Sequence, residues 1–152
     1  MRNKRYQESL DDDILTADPV RLIQMLYRGA VDSIIAARRY LKLGDIRSRS
    51  SAISKAMAIV TELSLSLNHT TGGDLSKNLF ELYAYTEKLL IQSNREQSDP
   101  PLAEAERLLS TLQEAWESCI VADKPVEVNE ASAEDGAPTG RSGALTSAYS
   151  PV

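Results

Sequence analysis

The sequence predicts an all-α protein, an antiparallel up-down four-helix bundle with an N-terminal leader and a disordered C-terminal tail. Three observations carry that expectation. Apolar residues recur at three- and four-residue spacing through four long stretches. The apolar set is mostly Leu, Ile, Val and Ala, with one Trp, one Phe and six Tyr, a palette better suited to helix packing than to a sheet. Short clusters of turn residues separate the stretches, so successive helices must fold back on one another.

Residues 1–17 are a mixed, charged leader in which Tyr6, Leu10, Ile14 and Leu15 are the apolar points. The bundle is expected over 18–121. Asp18-Pro19 opens the first helix: Asp caps exposed amides well, and Pro fits the first helical position. Its stripe is Ile23, Leu26, Tyr27, Ala30, Ile34, Ala37 and Leu41, and Gly44 closes it. The second helix is expected from about Ser48 to Asn68 on Ala52, Ile53, Ala56, Met57, Val60, Leu63 and Leu67. Thr70 to Asp74 interrupts the period. A third helix follows from about Leu75 to Asn94, and Asp99-Pro100-Pro101 punctuates before a fourth that ends near Val121. The expected core is Ile23, Leu26, Tyr27, Leu63, Leu79, Leu82, Tyr83, Leu112 and Trp116. Residues 122–152 turn to Ala, Ser, Gly, Pro and Thr with a net charge of −3, and no apolar period is evident; this segment is expected to be disordered.

The net charge of −5 argues against a nucleic-acid or anionic-membrane partner. Arg38 and Arg39 are expected on the wet face of the first helix, and Glu104 and Glu106 on a solvated face of the fourth. The single cysteine, Cys119, excludes an internal disulfide and fits a reducing compartment. No apolar run resembles a signal peptide or a membrane span, so a cytosolic location is expected. The one histidine, His69, stands where the second helix is expected to end. No metal-type spacing of Cys and His occurs, and a carboxylate-bundle metal site needs more than one His. No catalytic residue, cofactor or metal is therefore expected.

A bundle helix needs one apolar stripe, yet several helices carry more. At 100° per residue Phe80, Ala84 and Ile91 fall together beside the third helix's main stripe. Leu22, Met25, Ala36, Tyr40 and Leu43 lie away from the stripe of the first helix, and Leu65 away from that of the second. These are either ordinary surface hydrophobes or a second apolar surface that awaits a partner helix with anchors at i, i+3 and i+4. On the second reading the partner-facing positions are Leu22, Met25, Tyr40, Met57, Phe80, Ala84 and Ile91.

The segment Leu15-Thr16-Ala17-Asp18-Pro19, followed by Leu22 and Met25-Leu26-Tyr27-Arg28-Gly29-Ala30, resembles the opening of the flagellin export chaperone (FliS) family. Gly72-Gly73-Asp74, Asn78-Leu79 and Leu82-Tyr83-Ala84-Tyr85 are similar to that family's third-helix signature, and Ser93-Asn94 and Ala115-Trp116 extend the likeness over about residues 6–121. The resemblance implies a cytosolic helical bundle, without enzymatic activity or cofactor, that binds the C-terminal segment of flagellin as it folds around the outside. It implies that flagellin is kept from premature polymerisation and passed to the flagellar export gate. It also implies that an N-terminal tyrosine, best matched by Tyr6, covers a hydrophobic pocket. Two alternatives stay open: a histidine phosphotransfer bundle using His69, and a self-assembling bundle in place of a monomer or weak dimer.

Overall fold

The structure, a computed structural model, describes residues 18–122 and 142–149. The described residues form four long helices, α1 (Pro19–Leu43), α2 (Ile46–Leu65), α3 (His69–Glu96) and α4 (Asp99–Ala122), and a short α5 (Ser142–Ser147). The all-α bundle is as expected.

The caps explain where the helices start and stop. The Asp18 carboxylate accepts from the Arg21 amide at 2.8 Å and Pro19 leads α1. Gly44 ends α1 in the left-handed region. Asp45 takes the Ser48 amide at 3.1 Å, so α2 starts two residues earlier than its apolar period suggests. That donated hydrogen bond also holds the Asp45 carboxyl below the usual carboxylate range. Asn68 caps α3 through the Thr70 and Thr71 amides. Here the expectation of a loop over 70–74 is corrected. One helical turn forms first, and the break is confined to Gly73, whose φ of 53° and ψ of −131° suit glycine. Gln97 closes α3 in a left-handed conformation, its amide donating to Ser93.

Long-range polar contacts fix the up-down order. Arg38 of α1 meets Asp99 at the start of α4, while Val20 at the other end of α1 accepts from Trp116 Nε1 at 3.1 Å. Helices α1 and α4 are therefore antiparallel. Ser50 with Asn94, and Thr61 with Glu87, set α2 antiparallel to α3.

Ile23, Tyr27, Leu63, Leu79, Tyr83 and Trp116 are buried as expected, together with Ala30, Ile34, Ile53, Ala56, Val60, Leu90, Leu102 and Leu109. Leu26 and Leu112 are half-buried against this core, and Leu82 is half-buried as well, so these three sit at its edge.

Two surface expectations are corrected. Arg38 is half-buried and paired across helices instead of freely solvated. Its guanidinium grips Asp99 with two bonds of 2.7 and 2.9 Å and Glu106 with a third of 2.7 Å. Glu106 is thereby drawn into an inter-helix network, and Glu104 accepts from the Tyr85 hydroxyl at 2.7 Å. Periodicity could not show this, because Arg38 and Asp99 are 61 residues apart.

The disordered tail is corrected in part. Residues 142–147 form α5, and Ala148 and Tyr149 are buried on the bundle. Residues 123–141 lie outside the described residues.

Two predictions follow from the packing. Trp116 is 1% exposed, so Trp116→Ala should cost about 3 to 5 kcal/mol, measured by chemical denaturation. The Arg38 guanidinium also holds the Asp99 carboxyl below its ordinary value. The contribution of that pair is then present above the ordinary carboxylate pKa and lost as pH falls through the depressed one. Both partners are about a third exposed and screened by water, so Asp99→Asn should cost about 1 kcal/mol at neutral pH. Denaturation curves should show that difference shrink below about pH 4.

Candidate functional site

The exposed apolar residues of α3 lie where the helical projection puts them. Phe80 is 49% and Ile91 53% exposed, and Ala84 is exposed between them. Their setting follows from Tyr83, which points into the core. At 100° per residue, Phe80, Ile91 and Ala84 then lie 60°, 80° and 100° round the helix from it. Glu87, bonded to Thr61 of α2, lies between this group and the core, so the group flanks the α2–α3 seam. On α2, Leu65 is one turn beyond Thr61 on the same face and 74% exposed. The result is an apolar strip along one long side of the bundle.

The other expected positions are more recessed. Leu22, Met25 and Tyr40 on α1 are half-buried, and Met57 is half-buried against the core, so its side chain already has partners within the chain. Tyr40 borders a groove of about 670 Å³ between α1 and α2, with Gly29 and Ala36 on one wall and Arg47, Ala52 and Lys55 on the other. The structure therefore does not gather the expected residues into one patch: the α3 strip and the α1–α2 groove are separate. Tyr6 lies outside the described residues.

A feature that periodicity missed lies at the end of the bundle where α2 turns into α3. The hydroxyls of Tyr27, Tyr83 and Tyr149 form a buried chain, with Tyr27 and Tyr83 2.5 Å apart and Tyr149 bonded to Tyr83. Burial pushes all three phenols above their ordinary pKa, so they are neutral at physiological pH. The Tyr149 ring stands edge-on to Trp116 with centroids 5.3 Å apart. The only forward signal was Leu145, Ala148 and Tyr149 at i, i+3 and i+4 in a run, 142–152, that carries no charge.

His69 does not fit the phosphotransfer alternative well. It begins α3, its Nδ1 shares a 2.8 Å hydrogen bond with Ser76, and its ring meets Phe80 edge-on at 6.0 Å. Among the described residues no three His, Cys, Asp or Glu side chains cluster to hold a metal, and no helix is long and apolar enough to cross a membrane.

The comparisons with known proteins give this geometry a family. The family described as Flagellar protein FliS matches residues 1–123. The flagellar secretion chaperone FliS of Salmonella typhimurium is 37% identical over 111 residues, covering 72% of this chain and 82% of the relative. FliSB of Pseudomonas aeruginosa, also a flagellar secretion chaperone, is 31% identical over 75% of this chain and 91% of its own. FliS of Bacillus subtilis is 28% identical over 78% and 88% respectively. Tyr27, Gly72, Tyr83 and Trp116 fall inside the matched range, and residues 142–149 beyond it. With a four-helix bundle, an apolar strip on its outside and a family match across most of its length, the chain belongs to the FliS family of flagellar secretion chaperones.

Proposed function

We propose that this chain is a cytoplasmic, non-enzymatic chaperone that binds the C-terminal segment of flagellin, prevents its premature polymerisation and assists its export during flagellum assembly. The observation that carries the reading is the strip of Leu65, Phe80, Ala84 and Ile91, left exposed by a bundle whose core is complete without it. A helix laid along the strip would place its own apolar face on Phe80 and Ile91. The recessed positions Leu22, Met25 and Tyr40 would then receive a second stretch of the same segment, with Met57 at the edge of the α1–α2 side. Tyr6 would lie over part of this surface before flagellin arrives. The flagellin segment would order as it binds, and that ordering consumes about 2 to 5 kcal/mol or more of the gross interaction. The complex would thus stay releasable at the flagellar export gate. The free chaperone is expected to be a monomer or weak dimer.

Calorimetric titration of the full chain with flagellin tests the reading, using flagellin with and without its C-terminal segment. Binding should be lost on truncation, and unchanged binding would sink the proposal. Phe80→Asp and Ile91→Asp should each weaken binding about tenfold or more while leaving the thermal transition of the free chain nearly unmoved. Light scattering of the free chain should give a monomer or a concentration-dependent dimer; a stable higher oligomer would favour self-assembly through the same strip.

A further inference from the structure

The segment Leu145–Tyr149 has the chemistry of a docked partner helix. The charges of the tail all lie within 123–141, and residues 142–152 carry none. Leu145, Ala148 and Tyr149 follow the i, i+3, i+4 spacing by which amphipathic helices enter grooves. Leu145 is half-buried against the core, and Ala148 is wholly buried. Ala148 packs on Gly72 so closely that a Cβ built on that glycine would come 2.9 Å from the Ala148 Cα and 2.6 Å from the Ser76 Cβ. The receiving surface adds two directional bonds: the Asn68 amide donates to the Ala148 carbonyl at 2.8 Å, and the Thr71 hydroxyl donates to the Ser147 carbonyl at 2.8 Å.

The same contact is built to open. A helix of six residues has no stability of its own in water. Thr71 is exposed and Asn68 half-buried, so water can replace these two bonds. When Tyr149 leaves, the Tyr83 hydroxyl keeps Tyr27 as a partner, so no phenol is stranded in the core. Tethering through residues 123–141 raises the local concentration of the segment to about the millimolar range, enough to favour closure by a weak contact.

Position links the segment to the proposed docking strip. It covers the turn between α2 and α3, at the Leu65 and Phe80 end of the strip, and Phe80 touches His69 one residue beyond the Asn68 that bonds Ala148. A helix running along Phe80 and continuing past His69 would reach the turn that the segment covers. We propose that Leu145–Tyr149 is a built-in competitor that holds the aromatic end of the flagellin-docking surface and is displaced when the flagellin segment binds. The proposal rests on the functional reading above and adds a regulated subsite to it: Gly72, Tyr83 and Trp116 receive either the chain's own Tyr149 or an apolar side chain of flagellin.

The test uses the full chain. Ala148→Asp puts a charge into the closed contact and should release the segment; Tyr149→Phe removes only its hydroxyl bond and should loosen it. With the open form at about 0.1 to 10% in the native chain, release should raise the apparent affinity for the flagellin C-terminal segment about tenfold or more, with a smaller gain for Tyr149→Phe. A synthetic peptide of residues 142–152 added to the Ala148→Asp chain should weaken flagellin binding again. Hydrogen exchange gives a reading without flagellin: the Asn68 amide should be protected in the native chain and lose protection in Ala148→Asp. Folded variants that bind flagellin no better than the native chain, a peptide without effect, or unchanged Asn68 exchange would each overturn the competitor role while leaving the flagellin reading intact. Absence of flagellin binding by every form, the native chain included, would sink the functional reading and the competitor role with it. If Ala148→Asp does not fold, Tyr149→Phe and the Asn68 amide of the native chain decide the question.

Discussion

The rotation of α3 is set by one buried contact, the hydrogen bond between the hydroxyls of Tyr27 and Tyr83. It crosses the bundle's interior and joins α1 to α3, helices that pack mainly against α2 and α4 and not against each other. A phenol hydroxyl sealed from water needs a partner, and turning either helix by a residue would break the bond between them. With Tyr83 pointing inward, Leu79 and Leu90 come to the core beside it, and Phe80, Ala84 and Ile91 are turned out. The polar contact thus bears on the protein's outside as well as on its interior. It fixes which side of α3 carries the apolar strip.

That arrangement separates the two tasks of the hydrophobic residues. The interior is closed by large side chains, Trp116, Tyr27, Leu63 and Leu109 among them, with no call on the strip. The strip can therefore exchange occupants without loosening the fold, which a chaperone needs if it is to bind and release. An exposed apolar surface of this kind is also a liability for self-association.

Much of this was legible in the sequence because it depends on local rules. Asp18-Pro19 and Gly44 bound α1 through capping chemistry that acts within one turn, and the outward placement of Phe80, Ala84 and Ile91 follows from a period sustained over a long helix. The misses are contacts that local rules do not reach. Arg38 looks like a solvated arginine until Asp99 and Glu106 are brought to it by the folding of two intervening helices. Tyr40 looks outward on a helical projection, yet it is half-buried, and Met57 of the second helix's apolar stripe is half-buried against the core. The first turn of α3 hid behind Gly72-Gly73, a pair that reads as a break although only Gly73 leaves the helical region. Leu145, Ala148 and Tyr149 span little more than one helical turn, too short for a period to stand out from a tail rich in small residues.

The two ends of the bundle are held by different physics. At one end Arg38 ties α1 to α4 through three charge-assisted bonds, which are strong, directional and sensitive to salt and acid. At the other, Tyr27, Tyr83 and Trp116 form an aromatic floor on which Tyr149 stands, and the bonds that latch the segment there involve groups water can also satisfy. An ionic clamp requires its own partners in place, whereas an aromatic floor accepts any apolar side chain of suitable shape. The end of the molecule where the occupant can change is therefore the aromatic one. The Arg38 clamp lies at the far end of α1 from Val20 and Trp116, remote from that change.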